Sequence, residues 1–420
     1  MLTQALKANP ATGALPAPLA RVEPSDAWSD PGALRTLREM LMKAQRPFVI
    51  AGGSGWTPQS AKALQRFAES WRLPVGNAFR FQDTFDNHHP LYAGDVGIGI
   101  NPALAKRVGE SDLVIAIGPR LGEMTTGGYT LLQAPRSKQT LVHIHASAEE
   151  LNRVYQADLA IHASMRAAAR SLEVLAAPKD VVWEAWAQAC NADYVANLQA
   201  SPIKDLPADT ERGLVDMHSV IATVQKHLPD DAVLTNGAGN FASWLHRFYR
   251  YSGLAKGLKT QLAPTNGAMG YGVPAGIAAA ITSKASPAAA GQGRVVFTIA
   301  GDGDFLMNGQ ELATAVQHGA KTIILLLNNG MYGTIRMHQE REYPQHVAGA
   351  GTALHNPDFA ALARAYGYAG VRIQRTAEFE AELLAALERP EGTLIEVMLE
   401  PELISTRVSL SGITQAALKR

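Results

Sequence analysis

A single cysteine, Cys190, stands among 420 residues, which excludes an internal disulfide and leaves packing and hydrogen bonds to hold the fold. It lies in an Ala-rich helical stretch, where a thiol serves as a small packing residue rather than a nucleophile. There is no excess of charge either: Lys+Arg and Asp+Glu each number 38. That balance removes the electrostatic case for nucleic acid or an anionic membrane surface. No apolar run approaches the roughly 20 residues that a membrane-spanning helix needs, and the N-terminus lacks a signal-peptide pattern. The expectation left standing is a soluble cytoplasmic protein that acts on a small molecule. Apolar residues are not scarce. At 47% of the chain, they suffice for two or three cored domains.

The most informative stretch is residues 301–333, GDGDFLMNGQELATAVQHGAKTIILLLNNGMYG. The runs 295–299 before it and 323–327 inside it have the length and branching of buried parallel strands. Between them, residues 308–318 place Leu312, Ala315 and Val316 on one helical face, giving a strand–loop–helix–strand unit. Gly301, Asp302 and Gly303 end the first strand; Asn328, Asn329 and Gly330 end the second. Ligands of open α/β sheets sit at the carboxyl ends of strands, so Asp302 and Asn329 are expected to project oxygens into one crevice. A carboxylate, an amide and free carbonyls among glycines make a hard-cation site, and magnesium is held by few protein groups plus phosphate oxygens. The glycines admit a diphosphate to the backbone, and the N-terminus of the 308–318 helix adds a favourable dipole. A lone GDG is often only a turn; with Asn-Asn after the very next strand it becomes a signature.

Strands at 47–51, 113–117, 141–145 and 159–162 alternate with helices such as 31–44, which Asp30 caps and Pro31 begins. This alternation predicts a doubly wound parallel α/β domain over 31–177. Ala51, Gly52, Gly53, Ser54 and Gly55 read as part of a dinucleotide fingerprint without the full G-x-G-x-x-G spacing, and an NAD-linked oxidoreductase is one alternative function. His143, His145 and His162 read as core or crevice residues, or as metal ligands. Residues 1–30, rich in Pro and Ala, read as a linker. Residues 178–212 read as an interdomain connector with Trp183 and Trp186 packed between domains. A second doubly wound domain spans 213–403 and a C-terminal tail spans 404–420. In the second domain a strand at 232–235 leads into a turn at Gly239 and Asn240 that could cradle a phosphate or be an ordinary loop. Met269 sits among Gly267, Gly270 and Gly272, where the backbone approaches something closely; alone, it also reads as core filler.

The pairing of Asp302 with Asn329 resembles the thiamine-diphosphate signature of the acetolactate synthase-like enzyme family, and the resemblance covers nearly the whole chain. It implies that Asp302, Asn329 and the Met331 carbonyl coordinate Mg2+ opposite two diphosphate oxygens. It further implies that Gly239, Asn240, Gly301, Gly303, Asp304, Tyr332 and Gly333 line the cofactor. Met269, in a segment similar to G-x-M-G-x-G-x-P, would wedge under it and hold its two rings in a V. Arg120 keeps the first arginine of a G-x-R-F-D-D-R-x-T-G segment, whereas Met124 stands where the family carries a second arginine implicated in accepting a second 2-keto acid. His338 replaces a substrate-channel tryptophan and is either a proton donor or a merely solvated side chain. Some members of the family bind FAD or ADP in the central domain.

In that family the activating glutamate comes from an N-terminal pyrimidine-binding domain, usually of a partner subunit. Residues 1–30 look like the connector that follows such a domain, with Met1 an internal methionine of a longer parent. The resemblance thus implies the thiamine-diphosphate- and Mg-binding portion of a lyase or transferase acting on 2-keto acids. It would be inactive until a homo-oligomer or another partner supplies the missing domain. A non-catalytic binding or assembly subunit that keeps the fold is the alternative from another class.

Overall fold

The computed structural model describes residues 25–199, 203, 215–257, 259–285, 293–345 and 351–419. Residues 1–24 of the expected linker, Pro202 and Pro207 of the connector, and the loop at 286–292 lie outside them. Asp30 accepts a hydrogen bond from the Ala33 N–H at 2.9 Å and Pro31 follows it, which starts the helix Pro31–Lys43 as capping chemistry requires. The first sheet then takes β1 (Pro47–Ala51), β2 (Val75–Ala78), β3 (Tyr92–Val96), β4 (Leu113–Ile117), β5 (Thr140–His145) and β6 (Leu159–His162). The second takes β7 (Val233–Asn236), β8 (Gln261–Leu262), β9 (Val296–Gly301), β10 (Ile323–Asn328), β11 (Ala369–Ile373) and β12 (Thr393–Met398).

Strand order is β3-β2-β1-β4-β5-β6 in the first sheet and β11-β12-β10-β9-β7-β8 in the second. Neighbouring strands run parallel throughout, and helices flank both sheets, so the chain is two doubly wound α/β domains. Parallel sheets are covered on both faces, which is why their strands read as continuous apolar runs. In the second sheet Phe297, Ile299, Leu325 and Ile395 face one core, with Val220 and Leu383 from the helices Met217–His227 and Thr376–Glu388. Val296, Ala300, Ile324 and Leu394 face the other, with Ile277 and Phe359 from the helices Gly272–Lys284 and Phe359–Tyr366. Each such Val, Leu, Ile or Phe side chain contributes roughly 1.5–3 kcal/mol by leaving water. Among the described residues no helix is long and apolar enough to cross a membrane.

Several expectations need correction. The helix expected over 308–318 begins earlier: Asp302–Asn308 is helical, Gly309–Glu311 is a 3-10 turn, and Leu312–Gln317 resumes the helix. The dipole therefore starts at Asp302, not Asn308. Two carboxylates in the first turn favour this start, and the buried Phe305, edge-on to Phe359 at 5.5 Å, fixes it. Val316 is 45% exposed, so Leu312 and Ala315 alone carry that buried face. Trp183 and Trp186 belong to the first core instead of bridging the domains. Their indole N–H groups donate to the Trp71 and Pro47 carbonyls at 3.0 and 3.1 Å, because the helix Glu184–Asn197 folds back over the first sheet. Cys190, on the same helix, is buried, and burial pushes its thiol up to about 12. Residues 404–420 include the helix Leu410–Leu418, capped by Ser409.

The two domains meet along a hydrogen-bonded seam. Asp83, buried in the turn after β2, accepts the backbone N–H groups of Thr260 and Gln261 at 2.9 and 3.0 Å and pairs with Lys259. Gln82 donates to the His246 carbonyl at 2.7 Å, and Asn87 accepts the Tyr251 N–H at 3.0 Å. The bond from the Gln261 N–H to Asp83 also covers a donor of the edge strand β8 that would otherwise be left unpaired.

Candidate functional site

Strands β9 and β10 lie side by side in parallel register, with Gly301 opposite Leu327. The residues that follow them therefore emerge together, and Asp302 meets the turn after β10. Its Oδ1 accepts the Gly303 N–H at 2.9 Å, and its Oδ2 accepts the Gly330 N–H at 2.8 Å. A third donor was not anticipated from sequence. The Asn356 side-chain amide donates at 2.8 Å to Asp302 Oδ2 and at 2.8 Å to Asn328 Oδ1, tying both strand ends to one residue. Asp302 is only 3% exposed. Burial raises its pKa, and the Asn356 and backbone hydrogen bonds oppose that shift.

Asn329 folds over its own turn, with Oδ1 accepting the Met331 N–H at 3.3 Å. The Met331 carbonyl accepts from the Gly333 N–H at 2.9 Å, and a carbonyl oxygen carries a second lone pair. Tyr332 lays its ring on the first turn of the helix that Asp302 opens. A Cβ at Gly303 would stand 2.6 Å from Tyr332 Cε1, so only glycine permits that approach. Phe241 covers the other side, its ring against Gly239 and Gly301.

Asp304 joins three turns. Its Oδ1 accepts the Ala238 and Gly270 N–H groups, both at 2.9 Å, while its Oδ2 is buried with no hydrogen-bond partner. Burial raises this carboxyl to about 6. Asn240 links the turn after β7 to the helix Gly333–Glu342 by accepting from the Thr334 hydroxyl at 3.1 Å, and it donates to the Ile404 carbonyl at 3.0 Å.

All of these turns wall one cavity of about 250 Å3, at the carboxyl ends of β7, β9 and β10. Gly239, Asn240, Met269, Gly301, Asp302, Gly303, Asp304, Asn329, Met331, Tyr332 and Gly333 line it together, with Trp244, Leu399, Leu403 and Ile404 as apolar walls. Its polar end offers carboxylate, amide and carbonyl oxygens, and Asn356 Oδ1 beside it is buried without a partner. Such an all-oxygen set suits a hard divalent cation and not a soft one. The residues present thus fit a diphosphate group carried on such a cation.

Other singled-out residues lie elsewhere. His338 borders a second cavity, where its Nδ1 accepts from Arg341 at 2.6 Å; partial burial and that arginine lower its pKa. Among the three strand histidines, His143 Nε2 is 2.9 Å from the Pro119 carbonyl and His162 Nε2 is 3.1 Å from that of Ala146. Exposed Arg120 pairs with Glu150 at 3.3 Å. Gly53 and Gly118 bring the turns after β1 and β4 into contact, beside a third cavity of about 480 Å3. A Cβ on Gly53 would lie 2.0 Å from the Gly118 carbonyl oxygen, which gives the glycines after β1 a packing reason of their own.

Comparison with known proteins places this geometry. Residues 237–397 match the family model described as thiamine pyrophosphate enzyme, C-terminal TPP binding domain, and residues 34–172 match that for the central domain. The chain is 29% identical over 371 residues to the acetolactate synthase large subunit of Parasynechococcus marenigrum (strain WH8102), covering 87% of this chain and 56% of that protein. It is 28% identical over 373 residues to the probable acetolactate synthase large subunit of Methanocaldococcus jannaschii, covering 88% and 60%. It is also 28% identical over 374 residues to the acetolactate synthase isozyme 2 large subunit of Escherichia coli (strain K12), covering 86% and 61%. The chain thus spans between 56% and 61% of the length of these curated relatives. With one model on each of its two parallel sheets, the chain is similar to acetolactate synthase large subunits and belongs to the thiamine pyrophosphate enzymes, of which it carries the central and C-terminal domains.

Proposed function

We propose that this chain binds thiamine diphosphate through Mg2+ and forms the cofactor- and substrate-positioning portion of an enzyme that cleaves or joins carbon–carbon bonds of 2-keto acids. The observation that carries this is the meeting of Asp302, Asn329 and the Met331 carbonyl at one cavity from two adjacent strand ends. In this reading those oxygens hold the metal. Gly303, Gly330 and Asn356 fix the Asp302 carboxylate by three hydrogen bonds, and Asp304 locks the turns at Ala238 and Gly270 around it. Leu399, Leu403 and Trp244 keep water from the apolar end of the cavity. Bound there, thiamine diphosphate supplies an electron sink for a carbanion formed beside a carbonyl.

Asp302 and Asp304 are the only carboxylates among the described residues that line this cavity. Asp302 is assigned to the metal, and Asp304 is tied to backbone amides. In this reading the carboxylate that activates the pyrimidine ring comes from a pyrimidine-binding domain brought by a partner polypeptide, as the family resemblance implies. Calorimetry tests the core of the reading: thiamine diphosphate should bind with Mg2+ and not in EDTA. Assay of this 420-residue chain on 2-keto acids tests the rest, since robust turnover without a supplied domain contradicts it. A non-catalytic assembly subunit is the competing reading, and the Phe241 ring lying against Gly301 favours it. Absence of Mg-dependent binding would decide for that alternative.

A further inference from the structure

Between the two domains lies a larger cavity, about 550 Å3, which shares Ala238, Gly239, Asn240, Gly267 and Thr334 with the first. Arg80 enters it from the first domain. The side chain is 6% exposed, one guanidinium nitrogen donates to the Pro264 carbonyl, and Nε is buried with no partner. Its backbone adopts φ +63°, a left-handed conformation that residues with a Cβ seldom take outside turns and functional sites. A buried guanidinium ordinarily has an anion. The carboxyls within electrostatic reach are Asp95, which burial pushes up to about 8, and Asp304, which burial pushes up to about 6. Asp95 Oδ1 is itself buried without a hydrogen-bond partner.

The opposite wall repeats the imbalance. Arg247 donates to the carbonyls of Asn197, Thr406 and Gln199, and Arg407 to the Gly99 carbonyl and Asn197 Oδ1. All of these acceptors are neutral. Among the described residues none of Arg80, Arg247 and Arg407 has a carboxylate in ion-pair contact. Phe79, Tyr92 and Leu104 supply apolar surface between the cations. A low-dielectric cleft with one sign of charge concentrates ions of the other, and this volume is ample for a small organic molecule.

We propose that this interdomain cavity binds the carboxylate of an organic acid with an apolar body, and that Arg80 is the substrate-binding residue that grips it. The inference rests on the 2-keto acid reading above and names its substrate class: acids with an apolar side chain bulkier than that of pyruvate. Met124 contributes only a thioether to the same wall, so the cation on the first-domain side is Arg80.

Calorimetry with 4-methyl-2-oxopentanoate and its methyl ester, on wild type, Arg80→Gln and Arg80→Lys, tests this. Wild type should bind the acid about tenfold or more tightly than the ester, as expected of a charge-assisted contact. Arg80→Gln should lose that preference, while Arg80→Lys should keep part of it. Equal binding of acid and ester, or no binding of the acid, overturns the proposal. So does an Arg80→Gln protein with unchanged acid affinity and a lowered melting temperature, which would mark Arg80 as an interdomain staple. Should Arg80→Gln fail to fold, the wild-type comparison with Arg80→Lys still decides. Repeating each titration with and without thiamine diphosphate and Mg2+ separates the two claims. Arg80-dependent acid binding without cofactor binding would sink the cofactor reading and keep this site; cofactor binding without acid binding would do the reverse.

Discussion

Asn356 donates to the Asp302 carboxylate at 2.8 Å across 54 positions of sequence. The same amide reaches Asn328, so one side chain sets the spacing of two strand ends. Replacing it with Ala leaves a buried carboxylate with one fewer donor. A hydrogen bond to a charged group contributes about 1.5–3 kcal/mol, and Asn356→Ala should lower stability by that order in urea unfolding. Asn356→Asp, which sets a second carboxylate against Asp302, should be worse. Wild-type stability in both variants would show that Asp302 does not depend on this contact.

Asp302 itself is the sharper probe of cofactor binding. Asp302→Asn keeps the shape and removes the charge, so Mg-dependent affinity for thiamine diphosphate should fall by at least about 100-fold, the upper end of what loss of a merely supporting residue costs. EDTA on the wild-type protein should have the same effect, reversed by added Mg2+. Calorimetry reads both. Retained affinity in Asp302→Asn would remove this residue from the metal site.

Stability should fall as pH rises, through Asp95. Burial raises its carboxyl from 3.8 to about 8 in the folded protein, so the native state holds the proton more tightly than the unfolded chain. The stability this contributes is fully present below about pH 4 and lost as pH climbs through about 8. Arg80 opposes the shift, and the buried phenols of Tyr92 and Tyr251 border the group. Asp95→Asn should flatten the decline in unfolding free energy between mildly acidic and mildly alkaline pH. An unchanged slope would assign the decline elsewhere.

Gly53 and Gly118 should tolerate no side chain. A methyl group on either would fall within 2.2 Å of the other turn's backbone oxygen, which cannot move aside as a flexible side chain could. Gly53→Ala should cost about 1–3 kcal/mol or more from overpacking, visible as a lowered melting temperature. A neutral result would mean that the turns after β1 and β4 can part freely.

Sequence made the strong strands plain and hid the weak ones. β4, LVIAI, and β10, IILLLN, declare themselves because both faces are buried. β2, VGNA, and β8, with two residues, carry no such pattern; they are strands because β1, β3 and β7 flank them. The approach of Asp302 to the turn after Asn329 followed from strand succession alone, since parallel neighbours end together. Asn356 could not be foreseen. Its role depends on a return of the chain from beyond 351, and nothing in His355, Asn356 and Pro357 marks it. Arg80 was hidden for a similar reason: its left-handed backbone and missing anion are tertiary facts. The early start of the helix at Asp302 was legible in principle from its two first-turn carboxylates, but the glycine between them reads as a turn.

The seam at Asp83 has a mechanical corollary. Oily contacts tolerate sliding by fractions of an ångström, whereas a carboxylate gripping two successive amides and an ammonium accepts one angle or lets go. Any state that keeps those bonds holds the arginine-walled chamber at a single gape, and widening it means releasing Thr260 and Gln261 together.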